Sequence, residues 1–494
     1  MNYQIISLGI YFVVMVGIGV YAYFASNDDM EGYVLGGRDV GPHVTALSAG
    51  ASDMSGWMLM GLPGAMFVMG FDAIWIAMGL LLGALTNYIV VAPRLRTYTE
   101  MANDAITLPD FFAKRFLEEK GSLRLITSIV TILFFTLYTS AGLVAGGKLF
   151  ESVFQLNYSL GVAVTAGVVV AYTLLGGFLA VSMTDFVQGC IIFVALIVVP
   201  LTAFQQFDTV NEFNTITATE IGSFMSSWES LTVLGLLSSL AWGLGYFGQP
   251  HILVRFMAIR SRNDIPTAKN IGMSWMTVTI IGALGTGLVG VAYTQKFDLA
   301  LDDPETIFIV LSQLLFHPAI SGFLLAAILA AIMSTISSQL LVSSSSLTED
   351  ILKVFFKSNS TSQSTLPGRI AVVTVAIVAS IIALNDNKSV LSLVSNAWAG
   401  FGAAFGPLII LSLFWRNMTR AGALAGVIVG AATVLFWIYF PIEIAGKTLS
   451  QHLYEIIPGV IASSLAIVFV SQLSAKPRKE IYVKFDDVTD AIRS

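Results

Sequence analysis

Ser48-Ala-Gly-Ala-Ser-Asp-Met-Ser-Gly-Trp57 is the stretch that decides how this chain is read. Its Asp53 is the one acidic residue between Val40 and Phe71, in a run that is otherwise uncharged and largely apolar. A membrane-crossing helix takes about 20 such residues, so the run is long enough to span a bilayer. Glycine and serine crowd its middle, where an unbroken helix is poorly supported. An ionisable group at that depth costs roughly 2.5–3.5 kcal/mol on insertion scales. Such a group persists where a partner, a cavity or a bound ion offsets the cost. Two readings of Asp53 stay open on these grounds: a carboxylate held by backbone donors or a distant arginine, and a group that shapes a cation site.

Working outward, the composition sets the class. The chain has 494 residues, 56% apolar and 11% charged, with a mean hydropathy of +0.80. Soluble domains carry about 25% charged residues, so an all-α integral membrane protein is expected. The single cysteine, Cys190, excludes an internal disulfide. His43, His251, His317 and His452 form no ligand pair at helical spacing. The first apolar stretch, 5–24, lacks a basic leader and a cleavage site and reads as a retained span.

Apolar segments long enough to span number about thirteen. They cover 5–24, 42–69, 73–92, 123–147, 160–180, 187–204, 231–250, 270–293, 313–341, 369–384, 389–412, 420–440 and 453–473. Assigning alternate loops to opposite sides puts 21 of the 25 lysines and arginines on one side; only Lys148, Lys296, Lys388 and Lys447 fall on the other. The positive-inside rule then places the N-terminus outside and the C-terminus in the cytoplasm. The second span is interrupted by Gly50, Gly56 and Gly61, and the seventh by Trp242-Gly-Leu-Gly-Tyr-Phe-Gly-Gln-Pro250. They are five spans apart, an odd offset, so their topologies are inverted. Paired interrupted spans of this kind point to a transporter site at the bilayer midplane.

Other motifs are less decisive by spacing alone. Ser334 and Thr335 in Ala330-Ala-Ile-Met-Ser-Thr-Ile-Ser-Ser-Gln339 offer hard oxygens, yet hydroxyls in membrane helices usually bond the preceding turn. Gly243 to Gly248 spells a dinucleotide fingerprint but has no strand before it, so helix breaking and close packing are the better reading. Trp242 and Tyr246, four apart, are expected to face the same way, with Tyr138 of the fourth span turned towards them. Asp185, beside Thr184 and three before Gln188, reads as a helix cap. No nucleophile–base pair or metal spacing supports an enzyme, and no repeated filter motif supports a channel.

Taken together, Gly176-Gly-x-x-Ala-Val-x-x-Thr-Asp-x-x-Gln188 resembles a signature of the sodium:solute symporter family. Ala51-Ser-Asp-Met-Ser-Gly-Trp57, Trp242 to His251 and Ala331-Ile-Met-Ser-Thr335 look most like its proline-transporting branch. Met183 stands where the family commonly has tryptophan. The resemblance implies a single transmembrane domain with a leucine-transporter-type core of two inverted five-helix repeats, 42–204 and 231–412. An extra helix (5–24) precedes them, and two more (420–473) and a cytoplasmic tail (474–494) follow. It further implies a sodium site at the carbonyls of Ala51, Met54 and Ala331 and the hydroxyls of Ser334 and Thr335, the opposite of what spacing alone favours for those hydroxyls. Asp53, Ser55 and Gly56 match coupling positions, and Arg38 and Asp185 match cytoplasmic positions linked to ion release. Trp57, Tyr138, Trp242, Tyr246 and Pro250 match positions around the solute. The implied activity is uptake of L-proline driven by Na⁺ across the cytoplasmic membrane; another small metabolite is the alternative solute. The implied partners are proline, Na⁺ and the lipid bilayer, with no nucleic acid and no cofactor beyond the coupling ion. The oligomeric state stays open.

Overall fold

The structure, a computed structural model, describes residues 2–25, 35–222, 224–352, 366–384, 389–440 and 442–493. Of the residues used for sidedness, Lys353, Lys357 and Lys388 lie outside this set. Helices dominate: α1 (Asn2–Ala25), α2 (Pro42–Asp53), α3 (Leu62–Met69), α4 (Ala73–Thr86), α5 (Ala92–Met101), α6 (Leu108–Arg115), α7 (Ser122–Phe154) and α8 (Tyr158–Phe204). There follow α9 (Val210–Ile221), α10 (Phe224–Ser230), α11 (Val233–Leu240), α12 (Pro250–Ala258), α13 (Ile265–Lys296), α14 (Ile307–Leu315) and α15 (Pro318–Ser345). The chain ends with α16 (Leu366–Ala383), α17 (Val390–Phe414), α18 (Arg420–Tyr439), α19 (Ile456–Leu473) and α20 (Lys479–Arg493).

Among the described residues, nine helices are long and apolar enough to cross a membrane, fewer than the thirteen segments expected. The difference lies in breaks and short helices. Trp57–Met101 holds parts of the second and third expected spans on either side of a break at Gly70 (φ 60°, ψ −140°), and Tyr158–Ala171, Pro304–Leu315 and Pro367–Ala383 are shorter apolar helices. The fifth and sixth expected spans meet in one kinked helix, α8, where Gly177 adopts φ 57°, ψ −162°. That left-handed backbone is open to glycine at little cost. The ninth expected span starts later than its apolar run, because Phe316 is extended and α15 begins at Pro318.

Both interrupted spans are broken, the second across its glycines and the first between Gly50 and Gly56. α2 stops at Met54 (φ −82°, ψ 76°), and the helix resumes through a wide π-type turn at Trp57–Gly61 before α3. The glycines allow close packing instead: a Cβ on Gly50 would lie 2.7 Å from the Trp275 ring, and one on Gly56 2.7 Å from Ala145. The second break is a tight 3-10 stretch, Ala241–Gly248, followed by extended Gln249 and by Pro250 at the start of α12. There Gly243 meets Gly79 and Gly83 of α4 backbone to backbone.

The two broken spans are joined at one end. Val40, just before α2, pairs in parallel with Ile259, just after α12, with Arg260 N donating to Val40 O at 3.0 Å. Arg38 stitches the same end, donating to Met257 O and Ala105 O, each at 2.8 Å. At the other end, the Glu305 carboxylate accepts from Lys148 Nζ (2.7 Å), Ser389 Oγ (2.7 Å), Val390 N (2.9 Å) and Leu391 N (3.0 Å). An anion at the N-terminus of α17 meets that helix's unpaired amides.

The expected tail contains an ordered helix. α20 buries Ile481, Phe485 and Val488, spaced along one face. Phe485 lies 5.1 Å from the Arg94 guanidinium and 5.2 Å from that of Arg115. Thr489 accepts from Arg94 at 2.8 Å, and Ala491 O accepts from Arg262 at 2.7 Å. Replacing a buried phenylalanine by alanine typically costs about 3–5 kcal/mol. Phe485→Ala is therefore expected to lower the thermal unfolding midpoint of the purified protein, with Phe485→Tyr close to the parent.

Candidate functional site

The break in α2 redistributes backbone bonds in a definite way. In a continuous helix Ser55 N would donate to Ala51 O; here it turns back to Asp53 O at 3.0 Å, while Met54 N still reaches Gly50 O at 2.9 Å. The Ala51 carbonyl is released to α15, where Ser334 Oγ donates to it at 2.7 Å and Thr335 Oγ1 lies 3.5 Å away. Ser334 Oγ also lies 3.1 Å from Ala331 O. Four of the five expected cation ligands, Ala51, Ala331, Ser334 and Thr335, thus converge, all buried. Met54, the fifth, occupies the break itself. This cluster of neutral carbonyl and hydroxyl oxygens suits a hard cation.

Asp53 faces the other way. Residues two apart on a helix point to nearly opposite sides. Its carboxylate, 2% exposed, accepts from the Tyr246 hydroxyl at 2.5 Å. Its backbone carbonyl accepts from Trp57 Nε1 at 3.0 Å and from Tyr138 OH at 3.4 Å. Trp57, Tyr138 and Tyr246 therefore gather around one residue. Ser55 is buried, and its Oγ accepts from Trp57 N at 3.5 Å.

Trp242 does not join them. A 3-10 stretch has three residues per turn, so positions four apart diverge by about 120° instead of aligning. Trp242 stacks on Tyr454 (5.3 Å between ring centroids), whereas Tyr246 turns to Asp53. Pro250 opens α12 and is buried there.

Asp185 is not a cap. It lies inside α8, eight residues beyond the Gly177 kink, and is fully buried. Arg255 pairs with it at 3.1 Å. Ser48 Oγ donates to Asp185 at 2.7 Å, and Arg255 donates to Ser338 Oγ at 2.6 Å and to His251 O at 2.8 Å. Ser48 precedes Ala51 by three residues and Ser338 follows Ser334 by four, so the ion pair sits one turn from the Ala51 and Ser334 oxygens along both helices. Alternating loops would place Arg255 in a loop; the structure buries it in α12. Its signal in the sequence is its position within the apolar run Ile252-Leu-Val-Arg-Phe-Met257. Arg38 lies apart from this network, at the joined end of the broken spans.

Asn87, Gln249 and His251 also escape the sequence reading. Asn87 Nδ2 donates to Tyr246 O at 3.0 Å, and Gln249 Nε2 to Trp398 O at 3.3 Å. His251 lies edge-on to Tyr138, 6.0 Å between centroids.

Comparison with known proteins matches this architecture. The family model of the sodium:solute symporter family covers residues 33–430. The osmoregulated proline transporter OpuE of Bacillus subtilis is 54% identical over 97% of both chains. Sodium/proline symporter 2 of Staphylococcus saprophyticus is 50% identical over 98% of this chain and 95% of its own, and the sodium/proline symporter of Staphylococcus aureus 49% over 99% and 96%. Among solved structures, a substrate-bound, outward-open Na⁺-coupled sialic acid symporter superposes with a TM-score of 0.81 at 19% identity, over 97% of this chain and 99% of that one. A nucleobase-cation-symport-1 family transporter in a closed conformation gives 0.57 at 13% identity, over 92% and 98%. These likenesses identify the fold as the leucine-transporter type, in a multi-pass membrane protein. With the match running through both broken spans and the helix that faces them, the chain belongs to the sodium:solute symporter family.

Proposed function

We propose that this transporter couples inward movement of Na⁺ to uptake of L-proline by alternating access across the cytoplasmic membrane. The observation that carries the reading is the released Ala51 carbonyl meeting Ser334 and Thr335, in a chain about half identical over its length to proteins named for proline transport. Na⁺ held by Ala51, Met54, Ala331, Ser334 and Thr335 would tie α2 to α15 and so set the shape of the break. Proline's carboxylate would lie near Gly56 and Trp57, at the N-terminus of the resumed helix, an end that favours an anion. Its ring would lie against Trp57, Tyr138 and Tyr246, with Trp242 and Pro250 further along the same broken span.

Asp53 transmits between the two sites: its neighbour Ala51 belongs to the cation, its own carboxylate to Tyr246. Asp185 and Arg38 act on the cytoplasmic side. The Asp185–Arg255 pair closes the turn beside the cation oxygens, and Arg38 holds the broken spans together at that end. Ion release then requires both contacts to loosen. The lysine and arginine asymmetry supports an external N-terminus, and a membrane potential adds about 2.3 kcal/mol per charge per 100 mV to the drive.

Proteoliposomes decide the coupling: labelled proline should accumulate under an imposed Na⁺ gradient and not when choline replaces Na⁺, and equal uptake in both would refute the proposal. Loss of one hydroxyl ligand is worth about 1–1.5 kcal/mol. Ser334→Ala should accordingly raise the Na⁺ concentration for half-maximal proline binding about tenfold, measured by equilibrium binding. Asp53→Asn keeps an acceptor for Tyr246 and removes the charge; uptake is expected to fall at least about tenfold, a transition-state loss of about 1.4 kcal/mol, with the protein still folded by thermal melt.

A further inference from the structure

The face of α2 that carries Asp53 closes a small cavity against Asn87, Tyr246, Met273 and Met276. It has about 20 Å³ of room, enough for about one water-sized group. Its walls are mostly alkyl and thioether, and two buried polar atoms on it have no hydrogen-bond partner: Asp53 Oδ1 and Asn87 Oδ1. Both residues are at most 2% exposed. The Asn87 amide has a defined orientation because its Nδ2 donates to Tyr246 O at 3.0 Å, which leaves its oxygen unspent. The unspent groups are thus two acceptors, one on a carboxylate.

Unsatisfied buried acceptors cost about 1–3 kcal/mol each, so the complement of this pair is a cationic group with two N–H or O–H bonds. Thioether walls are poor ligands for a hard alkali ion. The oxygens suited to such an ion lie on the opposite face of α2, at Ala51. We propose that Asp53 Oδ1 and Asn87 Oδ1 form the subsite for the protonated secondary amine of the transported amino acid, whose ring nitrogen carries two N–H bonds. This rests on the reading of the chain as a proline symporter. Met54, Met273 and Met276 also line the cavity, and their unbranched thioethers can repack to admit the nitrogen while the ring stays on the Tyr246 side.

The test is competition of labelled proline binding by tetrahydrofuran-2-carboxylate, which keeps the ring and carboxylate but has no N–H. A site built to bond a polar group rejects an analogue lacking it by about 10⁴-fold or more, and at least about 100-fold discrimination is expected in the parent. Asn87→Leu should lower that ratio about tenfold, one lost hydrogen bond to a charged group. Asn87→Asp keeps the acceptor but loses the donor to Tyr246 O, and should hold the ratio within about threefold of the parent. An unchanged ratio in Asn87→Leu means the cavity holds a structural water only and overturns the subsite. Equal losses in Leu and Asp mean that Asn87 merely supports the Tyr246 carbonyl, which also overturns it. Should Asn87→Leu not fold, a parent that accepts the analogue nearly as well as proline does the same. Intact Na⁺-dependent proline uptake alongside any of these results sinks the subsite alone; absence of that uptake in the parent sinks the functional reading.

Discussion

One helical hydrogen bond that is not made organises this molecule. Ser55 N turns to Asp53 O and leaves the Ala51 carbonyl without its backbone donor. Inside a bilayer an unsatisfied carbonyl costs several kcal/mol, so it must find another partner. It finds the Ser334 hydroxyl of α15. The Asp53 carbonyl, in turn, collects Ser55 N, Trp57 Nε1 and Tyr138 OH. A single interruption thus produces a cluster of neutral oxygens on one face of α2 and an aromatic cluster around the next residues, separated by less than a helical turn.

The Asp185–Arg255 pair is the second constraint. A buried ion pair is weak grounds for net stability, because desolvation offsets much of its attraction. Removing one partner is another matter, costing about 3–5 kcal/mol by stranding a buried charge. Through Ser48 and Ser338 the pair connects α2, α8, α12 and α15. Those four helices come from both parts of the chain that hold a broken span. Any rearrangement of α2 against α15 must therefore preserve this network or exchange its partners together, which suits a structure with two discrete arrangements better than one that deforms gradually.

Much of this is legible in the sequence. Hydropathy locates the helical segments, and an isolated acid in an apolar run marks Asp53 as the centre of interest. Ser334 and Thr335 are visible, but spacing alone favours bonding to their own helix; only the resemblance to the family suggests them as ligands, and the structure sets them against the Ala51 carbonyl. Where sequence and structure part, the causes are local. The glycines of the first broken span suggest a break at their own positions, though it falls between them at Met54 and Ser55 and those glycines serve close packing. Trp242 and Tyr246 align under an α-helical periodicity that a 3-10 stretch does not obey. Asp185 resembles a cap because its cation, Arg255, lies 70 residues away in the chain.

By itself the sequence determined the membrane class and the two interruptions, which depend on composition and local backbone physics, and its short motifs carried the resemblance to the family. Only the tertiary structure decided which neighbour each buried acceptor meets: Ala51 with Ser334, Asp53 with Tyr246, Asp185 with Arg255, and Asn87 beside Asp53. Those pairings join residues 70 to 283 positions apart, or depend on a cavity between several helices. Buried polar groups must be satisfied, but that requirement names no partner until the packing brings one within hydrogen-bond distance.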